Sequence, residues 1–314
     1  LETYKAKAYW SSYKSDMLPY DFVNNKVVVT LSGNEVWYTT TDNKQLEILW
    51  VDSNYNSIVS SHTYGTRPDG TTGGIIKCNS TITKLPDNAF CRCSTLSSVT
   101  FSSSLTTIGE YAFYNCTALK NVTFPASLTT IGGQAFRGCT GLTEVTLPEN
   151  LTTINSNAFA ECTGLAAVTM PESLTTINSG AFSGCTGLRS ITIPRVVTAI
   201  KDNVFNGCTG VTEINLPETL LTIDFYAFGS CTGLVSIDIP DTVTGISGYA
   251  FRDCTNLSEV SLPVSWKTVY VGSSTYGYDS PFYGCTKLTE VTIPEGMTTV
   301  PNYAFYNCSA LKNV

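Results

Sequence analysis

The chain has 314 residues, a formal net charge of −7 and a sequence pI near 4.8, with 42% apolar but only 14% charged residues. This composition is typical of an ordered chain, and the acidic balance without Lys or Arg runs argues against nucleic acid or an anionic membrane as partner. No apolar run reaches the roughly 18 residues of a transmembrane helix. Because the chain starts at Leu1, we expect that a preceding segment was removed.

Residues 1–77 lack a repeat and predict a β-rich capping region. Four stretches have the β-branched and aromatic content of strands, and the Asp42-Asn43-Lys44 segment predicts a hairpin turn. The predicted strands span residues 26–31, 35–41, 45–50 and 58–62. A cap of this kind would cover the first coil of a repeat array, which otherwise exposes an apolar face and a free sheet edge.

From Cys93 onward the sequence repeats with a period of 23 residues. A fixed period of this size is typical of a stacked leucine-rich-repeat solenoid. Ten units can be placed between about Ile82 and Val314. The cysteines that mark them are Cys93, Cys116, Cys139, Cys162, Cys185, Cys208, Cys231, Cys254, Cys285 and Cys308.

One unit, LTTIGGQAFRGCTGLTEVTLPEN, predicts how each coil folds. The alternation across residues 142–147 predicts a short strand that ends at Pro148, since proline cannot donate to a ladder. The β-branched segment 128–131 predicts a second strand. Between them, Gln134 to Cys139 are expected to form one helical or 3-10 turn that buries Phe136. The predicted inward set is Leu128, Ile131, Ala135, Phe136, Cys139, Leu142, Val145 and Leu147.

Glycine often follows Cys-Thr in the repeat, as at Gly141 and Gly187, which suggests a left-handed residue at this place. Ala118 and Lys287 occupy the same place in other units, however, and these residues resist a positive φ. The repeat therefore does not require a left-handed residue there.

The unit LxxIxxxAFxxCxxLxxVxLPxx resembles the BspA-like class of leucine-rich repeats, and residues 34–42 resemble the segment before such repeats in gut Bacteroidetes surface proteins. The expected fold is α/β but predominantly β: a right-handed solenoid over residues 78–314, with parallel sheets and short turns. The resemblance implies a cell-surface or extracellular protein, with some members acting as adhesins for host matrix proteins and other bacteria. It supplies no ligand residues, because fold does not determine function.

The regular spacing of the cysteines favours free buried thiols that act as small apolar side chains, because parallel side chains in register do not turn towards each other. Cys91 and Cys93 leave two alternatives open, a disulfide with Cys78 and a soft-metal site. We expect no metal and no cofactor.

No catalytic residues are predicted, and we expect that the protein is not an enzyme. His62 is the one histidine and has no nucleophile motif beside it. The periodic carboxylates indicate a surface pattern, whereas a glycosidase needs one asymmetric pair in a cleft.

Eight additional residues lie between Cys254 and Cys285, within residues 270–280. Insertions in repeat proteins form loops on one face, often a binding face, although a tolerated surface loop is the alternative. Tyrosines are common anchors of binding energy, and the strands place acids in outward columns. The candidate ligand-binding residues are therefore Tyr270, Tyr276, Tyr278, Glu144, Glu213, Asp238, Glu259 and Glu290.

Two functions fit these patterns. The first is a surface binding or adhesion protein that holds a protein, such as a host matrix protein, or a glycan, with membrane contact only through a lipid anchor outside this sequence. The second is a structural spacer that presents other domains of a longer surface protein. A large exposed aromatic patch would favour the first, and an array that is polar all round would favour the second.

Overall fold

The computed structural model describes residues 20–21, 26–27, 33–46, 59–66, 70–266, 268–270, 280–298, 300 and 303–312. Within these residues the repeat region is a solenoid of coils about 23 residues long, built from two kinds of parallel strand and a stacked turn. The predicted solenoid is confirmed. The predicted helical turn is wrong, because no helix occurs among the described residues.

The first strand of each coil corresponds to the predicted segment 142–147 and, in every coil after the first, is shorter. These strands are β7 (Leu96–Phe101), β9 (Asn121–Thr123), β11 (Glu144–Thr146), β13 (Ala167–Thr169), β15 (Ser190–Thr192), β17 (Glu213–Asn215), β19 (Ser236–Asp238), β21 (Glu259–Ser261) and β23 (Glu290–Thr292). Paired strands are parallel with a one-unit offset, as in Val145 opposite Val168. We call this side of the solenoid the strand side.

A second strand follows the proline in the coils that have one, whereas the two such strands nearest the cap, at 84–85 and 107–108, have no proline in that column. These strands are β6 (Lys84–Leu85), β8 (Thr107–Ile108), β10 (Thr130–Ile131), β12 (Thr153–Ile154), β14 (Thr176–Ile177), β16 (Ala199–Ile200), β18 (Thr222–Ile223), β20 (Gly245–Ser247) and β22 (Thr268–Tyr270). They form one sheet of five strands and one of four, again parallel and in register. The proline carbonyl opens the turn between the two strands: Pro148 accepts a hydrogen bond from the Leu151 amide at 2.9 Å.

The cap extends the strand side. Its strands are β3 (Glu35–Thr40), β4 (Val59–Thr66) and β5 (Thr72–Cys78), in the order β4, β5, β3, β7, β9. β3 pairs antiparallel with β7, so the cap covers the free edge of the first coil. Two more short strands, β1 (Tyr20–Asp21) and β2 (Lys26–Val27), pair antiparallel.

Three of the predicted cap strands correspond to strands of the structure. The strand over 35–41 is confirmed, the one over 58–62 continues to Thr66, and the one over 26–31 is described only at Lys26–Val27. Gln45 and Leu46 are not in a strand, and 47–50 lie outside the described residues. β5 was missed because its glycines weaken the strand pattern.

The core is a continuous column of apolar side chains. All eight residues of the predicted inward set are buried, which confirms the register. The phenylalanines of successive coils stack face to face, with Phe159 5.4 Å and Phe205 5.6 Å from Phe182. Each coil therefore completes the packing of its neighbours, which is why a single unit would not be stable alone.

Candidate functional site

The turn that faces away from the two sheets has an unusual hydrogen-bond pattern. Within one coil, the Arg137 amide donates to Gln134 and the Cys139 amide donates to Phe136, each closing a four-residue turn. The amides of Gln134 and Phe136 instead donate to carbonyls of the next coil, at 2.9 and 2.7 Å. The turns thus form their own ladder between coils. We call this face the turn side.

Left-handed residues explain why the turn side is not helical. They recur at two places in each coil, five residues and one residue before the cysteine, as at Gln134 (φ 53°) and Gly138 (φ 73°). A right-handed helix cannot continue through such residues. At Gly141, by contrast, no positive φ occurs; a Cβ there would lie 2.7 Å from the Thr117 carbonyl oxygen, so glycine allows close approach of the coils.

Tyrosine occupies the first left-handed place in four coils: Tyr111, Tyr226, Tyr249 and Tyr303, with φ between 53° and 61°. Other coils have Asn, Gln or Gly at this place, for example Asn157. The left-handed conformation costs a residue with a Cβ roughly 1–2 kcal/mol. Because asparagine and glycine adopt it more readily, tyrosine at this place lowers the stability of the fold.

Three of these tyrosines belong to a group of side chains that we call the C-terminal aromatic cluster. Its members are Phe225, Tyr226, Tyr249, Arg252, Tyr283, Tyr303 and Tyr306. Most are half-buried, while Tyr303 and Tyr306 are 61% and 43% exposed. The cluster follows the turn side over four consecutive coils.

The rings of the cluster form a row along the solenoid. The centroid of Tyr249 lies 5.2 Å from that of Tyr226 and 5.9 Å from that of Tyr283, and Tyr283 lies 6.0 Å from Tyr306. The contacts are tilted or edge-to-face, which are favourable aromatic geometries. They hold the rings in a fixed arrangement along the row.

Arg252 lies at the centre of the row. Its guanidinium carbon is 4.9 Å from the ring centroid of Tyr249 and 5.2 Å from that of Tyr283, within cation–π distance. Its Nη1 donates to the Tyr226 hydroxyl at 2.9 Å, and its Nε lies 3.1 Å from a carboxylate oxygen of Asp253. The only charge of the row is therefore paired.

A smaller aromatic group lies on the turn side near the cap. Tyr111 and Tyr114 meet edge to face at 5.8 Å, and the Gln134 amide donates to the Tyr111 hydroxyl at 2.7 Å. The Arg137 guanidinium donates to the Gln134 side-chain oxygen and forms a 2.7 Å ion pair with Glu161. This group has only two aromatic rings. Because Tyr111 occupies the same left-handed place as Tyr249, the group serves as a comparison for the longer row.

The predicted acidic residues lie on the strand side and are exposed. Four of them occupy four consecutive first strands, and Glu259 pairs directly with Glu290 in the register of β21 and β23. Glu144 lies apart from them, on β11. The structure therefore places Glu213, Asp238, Glu259 and Glu290 in one acidic area on consecutive strands.

The predicted tyrosine anchors fall largely outside the described residues. Tyr270 ends β22, where its backbone pairs with Ser247, but its side chain is not described. Tyr276 and Tyr278 lie outside the described residues altogether. Sequence reasoning missed the C-terminal aromatic cluster, although aligned units show tyrosine and arginine recurring at two turn places in the last coils.

His62 lies in the cap, away from the cluster. Tyr38, which is fully buried, accepts a hydrogen bond from the Leu46 amide and contacts His62 Nε2 at 2.5 Å. The Gln45 side-chain Nε2 can only donate, and it lies 3.1 Å from His62 Nδ1. The proton of the neutral imidazole is therefore on Nε2, which donates to the Tyr38 hydroxyl. Burial lowers the pKa of His62 to about 4, so the ring stays neutral at physiological pH.

The twelve cysteines are free thiols, and the repeating ones have a polar contact in addition to their packing role. The Cys185 thiol donates to the carbonyl of Phe159, in the preceding coil, at 3.1 Å, and the same bond recurs along the ladder. Burial raises the pKa of Cys208 to about 12. Cys91 and Cys93 are half-buried, and the described residues contain no group of three or more His, Cys, Asp or Glu that could hold a metal.

Comparison with known proteins gives a consistent result. Residues 74–189 and 175–312 match the family model described as BspA type leucine rich repeat region. No curated protein matches the chain significantly. Among the described residues, no helix has the length and apolarity needed to cross a membrane.

Several solved structures resemble the chain. A leucine-rich repeat protein from Bacteroides ovatus is 27% identical with a TM-score of 0.60, covering 79% of this chain and 72% of its own. A leucine-rich repeat protein from T. pallidum is 29% identical with a TM-score of 0.48, covering 58% and 90%. One from Eubacterium ventriosum is 22% identical with a TM-score of 0.48, covering 75% and 83%.

Proposed function

Since the chain belongs to the BspA-type leucine-rich repeat family, we propose that it is a non-catalytic binding or adhesion protein, on the cell surface or secreted, that recognises a protein or glycan. The observation that carries this proposal is the C-terminal aromatic cluster. A spacer needs only a polar exterior. The row of partly exposed rings over four coils is not polar, and it therefore favours a binding function.

The composition of the cluster supports a binding role. Binding energy concentrates in Trp, Tyr and Arg, and six of the seven cluster residues are tyrosine or arginine. Tyrosine presents a large surface with few rotatable bonds, so little entropy is lost when a partner is bound. The left-handed tyrosines also lower stability, and local strain is often retained where it has a function.

The acidic area supports binding less directly. Its carboxylates lie one per coil on exposed strands, which offers hydrogen-bond acceptors but few anchors with large contact area. We place it as a secondary contact area on the strand side.

A binding screen on the whole chain tests the proposal. The protein is immobilised and exposed to a panel of extracellular-matrix proteins and soluble polysaccharides, with its fold checked by circular dichroism. We expect at least one component to bind with a Kd in roughly the micromolar range, near −8 kcal/mol. If the folded protein binds no component, the spacer function is favoured instead.

The surface location needs a separate measurement. Antibodies against the purified chain are applied to intact and permeabilised cells of the bacterium that encodes it, together with its culture medium. We expect labelling of intact cells or protein in the medium. Labelling only after permeabilisation contradicts the proposed location.

A further inference from the structure

We propose that the C-terminal aromatic cluster is the binding site for an extended, neutral, β-linked polysaccharide, with about one sugar ring lying on each coil. This inference rests on the proposed binding function and adds the site and the class of ligand. Three observations carry it: the spacing of the rings, the local charge and the occupied backbone groups.

The spacing of the rings suits a polymer that runs along the solenoid. Consecutive centroids from Tyr226 through Tyr249 and Tyr283 to Tyr306 are separated by 5.2, 5.9 and 6.0 Å. A sugar ring in an extended β-linked chain has a similar length. The C–H bonds on one face of such a ring are attracted to the negative face of an aromatic ring. Neighbouring ring planes are inclined to one another by 39°, 85° and 32°, so each sugar would meet its ring at a different angle.

The charge around the row favours a neutral ligand. Arg252 is paired with Asp253, and Asp224 and Asp202 lie beside Phe225, whose amide donates to the Asp202 carboxylate. The whole chain has a net charge of −7. A polyanion would meet repulsion here, whereas the tyrosine hydroxyls, the Asp253 carboxylate and the guanidinium can exchange hydrogen bonds with uncharged sugar hydroxyls.

The backbone of the turn side offers little to a peptide. Peptides commonly bind by adding a strand to a free sheet edge, but the amides here are already used between coils. The Tyr249 amide donates to the Ser280 carbonyl at 3.0 Å, and the Asp253 amide donates to the Tyr283 carbonyl at 2.8 Å. The cluster also contains no aliphatic side chain, so the contacts that remain are aromatic faces and polar groups.

The left-handed tyrosines allow a test that separates binding from folding. Asparagine occupies the same place in other coils, as at Asn157 and Asn203, with φ of 56° and 58°. Tyr249→Asn therefore removes a ring from the row while keeping a residue that suits the backbone. Tyr111→Asn makes the identical change at the same place, φ 54°, outside the cluster.

Titration calorimetry measures binding of hexasaccharides of neutral β-1,4-linked glucose, mannose and xylose to the parent chain and both variants. Polygalacturonate, heparin and a proline-rich peptide serve as competing ligand classes. We expect one of the neutral hexasaccharides to bind, Tyr249→Asn to weaken it at least tenfold, and Tyr111→Asn to leave it unchanged. Thermal melts should stay within a few degrees of the parent in both variants. If Tyr249→Asn fails to fold, Tyr303→Asn, at the most exposed ring of the cluster, replaces it.

Several results would overturn the inference: equal binding by parent and Tyr249→Asn, equal weakening by Tyr111→Asn, or binding confined to the polyanions or the peptide. Failure of every neutral hexasaccharide to bind also overturns it. The proposed function fails separately, only if the matrix-protein and polysaccharide panel gives no binding at all.

Discussion

Truncation of one phenylalanine in the central stack tests the packing of the solenoid. Phe182 is fully buried, and its ring is nearly parallel to both neighbours, within 4° of Phe159 and 7° of Phe205. Phe182→Ala removes the ring and interrupts the stack. It leaves the backbone bonds of the turn in place, including the donation from the Phe182 amide to Val204 at 2.9 Å.

The expected loss is about 3–5 kcal/mol, the range for truncating a buried phenylalanine and leaving a cavity. The upper half is favoured here because the ring loses two aromatic partners, each contributing roughly 0.5–1.5 kcal/mol. Since each coil contacts only its neighbours, the cavity weakens two coil interfaces at once. The unfolding transition should therefore broaden or split as the two halves of the array uncouple.

Urea unfolding followed by circular dichroism measures this loss, with Tyr226→Ala as the control on the turn side. That ring is half-buried, and its removal should cost about 1 kcal/mol, as is usual for a point substitution. Comparable losses for the two variants would refute the assigned inward register.

Three further predictions concern the cap, the cysteines and the turn. The pKa of His62 is about 4 in the folded state and 6.5 in the unfolded state. Between pH 4 and pH 6.5 the unfolded state therefore binds more protons, so the stability is fully present above pH 6.5 and falls as the pH drops towards 4. At about pH 5.5 the loss should be about 1 kcal/mol after allowance for partial exposure, and urea melts at several pH values should show it in the parent but not in His62→Phe. Cys116 through Cys254 should resist alkylation in the native state and react as thiols in denaturant, because burial raises their pKa; mass spectrometry that finds disulfides between consecutive coils would refute this. Tyr303→Asn should match or exceed the parent in melting temperature, because asparagine relieves the left-handed strain at φ 61°; a large drop would show that the ring stabilises the fold.

The coil could be predicted from the sequence because its period and its apolar places are almost invariant from unit to unit. The side chains from Leu128 to Leu147 alternate or recur as buried strands and turns require, and the structure buries them as predicted. The turn was the exception. The short segment around Phe136 fits a helical turn by length alone, and only the backbone shows that left-handed residues on both sides of it prevent a helix.

The left-handed places were hidden for a physical reason. Glycine is the usual signal for positive φ, and it is most regular at Gly141 and its equivalents, where it serves close approach between coils. The true left-handed places contain Asn, Gln, Tyr, Glu, Asp, Arg and Ser as well as glycine. Hydrogen bonds between stacked turns hold these residues in place, and such bonds are not visible in a single unit.

The candidate site was predicted only in part. Exposure of the acidic residues on the first strands follows from alternation, and the structure agrees. The aromatic row combines residues from four coils. Most of them lie either five or two residues before the cysteine of their coil. Only the stacking of the turns brings Tyr249, Arg252 and Tyr283 together.

Hydroxyl-radical footprinting of the protein with its bound partner tests most directly that binding occurs on the turn side. Each tyrosine reports its own accessibility to oxidation, with and without the partner that the binding screen identifies. We predict protection of Tyr249, Tyr283 and Tyr306 and no change at Tyr111 and Tyr114. Unchanged oxidation of the cluster together with protection of strand-side residues would contradict the account.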